Sequence, residues 1–274
     1  MKRNKVKWPV ILLAVSMILF SVVSQGFSQS VSEILKKAES NYKNFNQDFK
    51  DMAIVFDAKM YTPEGEMASE MKLFTKGEKS RSEIVMQFPE AAGVPEGMGS
   101  MQTIIIFDGQ DNWMISSFAG KKKLTNEQAE EQMQYQTGMN WWSSISDKAK
   151  YVGMERINNR ECYVLEIEAE GDSLYNKIWV DKNNLFLVQT ENKSDSGETM
   201  RMIFSDFRKI KGEWELAYKT EGFLDEEPVM TIFLKSFETN QGLSDDLFDV
   251  DKVEVSGPNM QEMMQNMMQQ GKNN

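Results

Sequence analysis

From Ala53 to Met86 the chain alternates apolar and polar residues with a period of two, and strand-like segments recur from there to Phe237. Turn signals interrupt it roughly every eight to twelve residues, the spacing of a large antiparallel sheet or barrel. Ile54, Phe56, Ala58 and Met60 share one face, with Asp57 and Lys59 on the other. After Pro63-Glu64-Gly65, the residues Met67, Ser69, Met71 and Leu73 repeat the pattern, and after Lys76-Gly77-Glu78 so do Ser82, Ile84 and Met86. These are three sequential strands with one wet face. Thr103 to Phe107 reads as a strand buried on both faces, and Asp108-Gly109 turns it back into Trp113-Met114-Ile115.

The second half continues the meander. Tyr151–Arg156 pairs with Glu161–Glu168 through Asn158-Asn159, and Lys177–Val180 pairs with Leu185–Thr190. Met200–Phe207, Trp214–Phe223 and Val229–Phe237 add three strands, and Leu243–Phe248 reads as a short closing segment. The βαβ alternation of a parallel sheet is absent.

Two helices interrupt the strands. Over Ser30–Phe49, Val31, Ile34, Leu35, Ala38, Tyr42, Phe45 and Phe49 recur at three- and four-residue steps, forming one apolar stripe behind a serine cap. Asn126–Trp142 reads mainly as an inserted helix, and Lys121–Lys123 before it as a solvated loop. The stretch Phe88–Met101 carries two prolines and three glycines, which forbid regular structure, yet contains Val94, Met98 and Met101. It is either a mobile flap or a plain long connector.

The N-terminus bears on the compartment. Lys2, Arg3, Lys5 and Lys7 precede an apolar stretch from Trp8 to Val23, followed by small residues at Ser24, Gly26 and Ser28. That order reads as a secretory signal peptide over residues 1–28, cleaved near Gly26 or Ser28, and implies an exported, periplasmic protein. An uncleaved anchor is the alternative. The expected organisation is then a leader at 1–28, a sheet domain at 29–255 and a Met/Gln-rich tail at 256–274.

Composition excludes more than it selects. There is no histidine, which removes His-built zinc sites and Ser-His-Asp or Cys-His catalysis. The lone Cys162 cannot form an internal disulfide and reads as a small buried hydrophobe. With 31 basic and 42 acidic residues the chain is acidic, so nucleic acid is not an expected partner. No catalytic set, cofactor or metal is expected, and the protein reads as a non-enzyme.

What remains is an apolar sheet face. The proposed lining is Ile54, Phe56, Met60, Met71, Leu73, Ile84, Met86, Ile104, Ile106, Trp113, Met202 and Phe204, with Val94, Met98 and Met101 on the flap. Methionine is unbranched and polarizable, so it repacks around irregular ligands. Lipid-like molecules are the ligands such a face would suit. The alternative is a solid core under the helices. The tail methionines Met260, Met263, Met264, Met267 and Met268 fall on one helical stripe. A lid, a disordered end and a thioether site for Cu(I) all remain open for it.

This order of elements resembles the LolA family of periplasmic lipoprotein carriers. Ile106-Phe107-Asp108-Gly109-Gln110-Asp111-Asn112-Trp113 is similar to that family's strand, Asp-Gly turn and aromatic return. Ile178-Trp179-Val180-Asp181 followed by Leu185-Phe186-Leu187-Val188 is similar to its late hairpin, and Leu243–Phe248 to its terminal segment. The resemblance implies a mainly β fold: a large curved antiparallel sheet forming a half-open barrel, its concave face covered by the two helices. It implies a monomeric shuttle for acyl chains between two membranes, in transient contact with inner- and outer-membrane proteins. A regulatory module of the same fold, contacting a membrane protein, is the alternative. Lys76-Gly77 stands where the family has Arg-Pro, and the flap and tail are additions, so the cargo is left open.

Overall fold

The structure, a computed structural model, describes residues 30–89, 99–117, 120–125, 128, 145, 149–168, 175–194, 196–212 and 214–254. The leader, all but residue 128 of the inserted helix expected over 126–142, the flap residues Val94 and Met98, and the tail lie outside the described residues.

Helix α1, Val31–Asp48, forms where the three- and four-residue apolar spacing predicts. Ser30 caps it, its hydroxyl accepting from the Glu33 amide at 3.3 Å, and Glu33 adds a favourable acidic charge to the first turn. Its stripe buries Ile34, Ala38, Phe45 and, just past the last turn, Phe49.

Thirteen antiparallel strands follow in one sheet. They are β1 (Asp51–Thr62), β2 (Gly65–Lys76), β3 (Lys79–Gln87), β4 (Ser100–Phe107), β5 (Asn112–Ser116), β6 (Gly120–Leu124), β7 (Ala149–Ile157), β8 (Arg160–Ile167), β9 (Lys177–Asp181), β10 (Leu187–Lys193), β11 (Thr199–Lys211), β12 (Trp214–Leu224) and β13 (Glu227–Thr239). Their spatial order is β6-β5-β4-β3-β2-β1-β13-β12-β11-β10-β9-β8-β7. Two uninterrupted meanders therefore meet at a seam between β1 and β13, and the sheet curves into a half-open barrel whose free edges are β6 and β7.

Local chemistry sets the hairpins. Asn158 and Asn159 adopt left-handed φ of 47° and 66°, giving the two-residue turn whose twist matches the flanking strands. Lys121–Lys123 was expected as a loop but forms β6, paired on one side to β5. Lysines on an edge strand discourage pairing with a second chain, which explains three of them in a strand. Met101, expected in the flap, lies inside β4 opposite Met86.

The inner face is the one that carries α1. There Ile34, Ala38, Tyr163, Leu165, Ile178, Val180, Leu185 and Leu187 form a buried cluster. Phe45 stacks edge-on against Trp214, and Phe49 against Phe237, which anchors the end of the helix over β12 and β13.

The opposite face is closed by the chain after β13. Asp51 accepts from the Gln241 and Gly242 amides at 2.8 and 3.0 Å, turning the chain back across the sheet. A 3₁₀ turn at Asp245–Phe248, capped by Ser244, then seats Phe248 against Ile104, Ile106 and Ile115. Lys76 and Arg81 donate to the Leu243 and Leu247 carbonyls at 2.7 and 2.8 Å. Hydrogen bonds from Lys79 and Lys76 hold the Asp245 carboxyl below its usual range.

Phe248 is 1% exposed. Phe248→Ala is expected to cost about 3–5 kcal/mol, the range for a truncated core aromatic, at an unchanged denaturant slope in urea unfolding. A cost under about 1 kcal/mol would show that this segment does not seal the sheet.

Candidate functional site: the uncovered half of the inner face

Residues directly opposite in an antiparallel pair point to the same side, so the register maps the inner face row by row. One row runs Thr190, Met202, Gly222, Met230, Met60, Met67 from β10 to β2. The next runs Phe204, Thr220, Ile232, Ala58, Ser69, Met86, Met101 from β11 to β4. A third runs Leu234, Phe56, Met71, Ile84, Thr103, Ser116, and a fourth Phe237, Ile54, Leu73, Ser82, Ile105, Met114.

These rows place nine of the expected lining residues together on the inner face: Ile54, Phe56, Met60, Met71, Leu73, Ile84, Met86, Met202 and Phe204. Ile104, Ile106 and Trp113 do not join them. Ile104 pairs with Glu83 and Ile106 with Arg81 and Trp113, all on the outer face, where Phe248 and Val253 bury the two isoleucines. Their neighbours Ile105 and Met114 take the inner positions instead. Period-two counting could also have found Met200, Met230 and Ile232, which continue the inner parity of their own strands.

The inner face is filled unevenly. Over β8–β10, beneath α1, the cluster is closed: Leu165, Ile178 and Val180 are fully buried. Across β1–β4 and β11–β13, Ile54, Ala58, Ile105 and Leu234 are buried, yet Phe56, Met60, Met67, Met71, Leu73, Ile84, Met86, Met101, Met202, Phe204 and Met230 all remain partly exposed. An inward-facing apolar side chain that keeps contact with solvent borders space that the other described residues leave open. The polar positions in these rows are hydroxyls, Ser69, Ser82, Thr103, Ser116, Thr190 and Thr220, with no carboxylate among them. The chemistry available here is apolar contact with a few neutral hydrogen-bonding groups at its margin.

Charged groups gather elsewhere. Arg160 bridges Asp181 and Glu215, each at 2.9 Å, and lies over the Phe207 ring at 4.0 Å, pinning β8, β9 and β12 together. Asp181 also accepts from the Asn183 amide at 2.7 Å, so its buried carboxylate has several partners in a structural role. Among the described residues no group of three or more His, Cys, Asp or Glu could hold a metal ion. No described helix is long and apolar enough to cross a membrane.

An open antiparallel half-barrel around an N-terminal helix, with part of its inner face left open by the described residues, defines the class of fold. Comparison with solved structures gives the same class. A domain named for outer membrane lipoprotein sorting, from Vibrio parahaemolyticus, is 13% identical, covers 80% of this chain and 96% of its own, and has a TM-score of 0.53. A DUF1329 family protein from Desulfovibrio piger is 15% identical over 80% of this chain and 99% of its own, with a TM-score of 0.53. A LolA superfamily protein from Nitrosomonas europaea is 19% identical over 79% of this chain and 99% of its own, with a TM-score of 0.50. The fold of this chain is therefore the LolA-type fold. A family model described only as an uncharacterized protein matches residues 140–254. No curated protein matches the chain.

Cys162 is fully buried among Val164, Trp179 and Val188 on the outer face. Burial, and then the nearby Asp181 carboxylate, push its thiol up from 9.0 to about 11. The native state thus holds the proton more tightly than the unfolded chain, and this contribution to stability is complete below pH 9.0 and is lost as pH rises through about 11. Alkylation by iodoacetamide at pH 8 is expected to proceed only at the rate of unfolding. Rapid labelling of the folded protein would contradict the burial.

Proposed function

We propose that this protein is an exported carrier that takes acyl chains of lipoproteins or other lipids against the uncovered half of its inner face and moves them toward the outer membrane. One observation carries the reading: inward apolar side chains stay partly exposed across β1–β4 and β11–β13, while the same face is sealed under α1. A chain of about 15 methylenes gains roughly 12 kcal/mol on leaving water, at ~0.8 kcal/mol per CH₂, so a carrier has to match that sink and still release. A face of flexible methionines suits both demands, because it fits varied shapes without a rigid mould. The N-terminal leader pattern supports export to the periplasm, where a lipid cannot travel alone. The name of the Vibrio parahaemolyticus domain, which refers to outer membrane lipoprotein sorting, points the same way. In this reading the carrier works as a monomer that docks transiently with membrane proteins at each end of its route, and it performs no covalent chemistry.

The test is direct. Protein purified without detergent is analysed by mass spectrometry for bound lipid, and titrated with a fluorescent fatty acid. Met71→Glu, which places a carboxylate in the middle of the proposed lining, is expected to weaken probe binding at least tenfold. Glu70→Gln, next in sequence but on the outer face, should leave it within twofold. Absence of both co-purified lipid and saturable probe binding in the unaltered protein would end this reading.

A further inference from the structure

In strands β1 to β6 the charged residues keep to the outer face, with one exception. Asp57, Lys59, Glu70, Lys72, Arg81 and Glu83 all occupy outward positions, as their pairing shows. The exception stands on the free edge. Lys122 is directly opposite Met114, and Met114 opposite Ile105, so Lys122 ends the inner row that runs on through Ser82 and Leu73 to Ile54. Its two neighbours point the other way and are engaged there. Lys121 meets Asp251 at 2.8 Å, and Lys123 meets Asp111 at 2.7 Å beside the Trp113 ring. Lys122 is exposed and has no ion-pair partner among the described residues.

Protection of the edge explains charge on β6, and Lys121 and Lys123 already supply it on the outer side. It does not require a third charge at the end of an apolar row. The sign is informative too. A chain with 31 basic and 42 acidic residues places a cation here, and no carboxylate on the inner positions of β1 to β6. Met114 and Leu73 in the same row keep partial exposure. At ~4.8 Å between strands, the row from Lys122 on β6 to Ile54 on β1 is about 24 Å long. A hydrocarbon chain laid along it brings its polar end to the β6 edge, where the lining meets water. An anionic head at that point faces an ammonium whose field no carboxylate of the inner face cancels, whereas a neutral head gains nothing from it.

We infer that Lys122 is a specificity-determining residue of the inner face: it holds the anionic head, phosphate or carboxylate, of an acyl-chain ligand at the β6 edge. The inference rests on the carrier reading and narrows its ligand from lipids in general to anionic ones. Because Lys122 is exposed, it acts as one half of a surface ion pair, which changes affinity a few-fold and weakens with salt.

The experiment is displacement of a neutral fluorescent monoacylglycerol from the full chain by ligands that share one palmitoyl chain: lysophosphatidylglycerol, palmitate and monopalmitoylglycerol. The readout is the affinity of each anionic ligand divided by that of the neutral one, a ratio in which general changes of the lining cancel. The unaltered protein is expected to prefer an anionic ligand about threefold to fivefold at low salt, and to lose that preference at about 1 M salt. Lys122→Gln is expected to lower the ratio about threefold and Lys122→Glu about tenfold, while Lys122→Arg keeps it. Lys123→Gln, on the outer face, should leave the ratio unchanged. A preference confined to lysophosphatidylglycerol assigns the anchor to phosphate, one confined to palmitate assigns it to carboxylate, and one shared by both assigns it to either anion. A ratio near one in the unaltered protein, or a ratio that Lys122→Glu does not lower, would overturn the anchor and leave the carrier reading standing. If none of the three ligands binds, the carrier reading fails and the anchor fails with it.

Discussion

The seating of α1 on β8–β10 is the contact on which the rest of the inner face depends. The helix has one apolar stripe, and a stripe of about a hundred degrees can bury only a few strands of a wide sheet. Ile34 and Ala38 are committed to the cluster with Leu165, Ile178 and Val180, and Phe45 and Phe49 to Trp214 and Phe237. Among the described residues, the packing contacts of α1 therefore go to β8–β10, β12 and β13, and the methionines of β1–β4 and β11 stay partly exposed.

The outer face solves a different problem. A sheet this wide, with apolar residues on both sides of β4, needs cover on the side away from the helix. The chain after β13 provides it, turned by Asp51 and held by Lys76, Lys79 and Arg81 to its own carbonyls and to Asp245. Phe248 packs there against Ile104, Ile106 and Ile115, so β4 and β5 are backed on the side away from the helix. On the β8–β11 side, Arg160 and its two carboxylates play the corresponding part.

Much of this could be read from the residues alone. The helix span, the hairpins and the antiparallel meander follow from spacing and turn chemistry, as the Asn158-Asn159 turn shows. Face assignment failed where the pattern carries no information. Ile104, Ile105 and Ile106 are apolar in succession, so period two cannot say which of them looks inward, and that depends on the distant Phe248. Trp113 followed the same error through its pairing with Ile106. Lys121–Lys123 was misread because an edge strand needs only one paired side and no apolar face.

The seam between β1 and β13 has a consequence for how the chain matures. Both meanders, β1 to β6 and β7 to β13, are built from hairpins between consecutive strands, and such contacts close cheaply. The seam joins Met52 to Thr239 and Met60 to Met230, the most distant partners in the sheet. A polypeptide emerging from its N-terminus therefore carries β1 with one side bare until Glu227–Thr239 has followed it. Throughout that interval a row of unsatisfied amides and carbonyls stands open beside the methionines, and the last strand to arrive both completes the ladder and brings Met230 to its place.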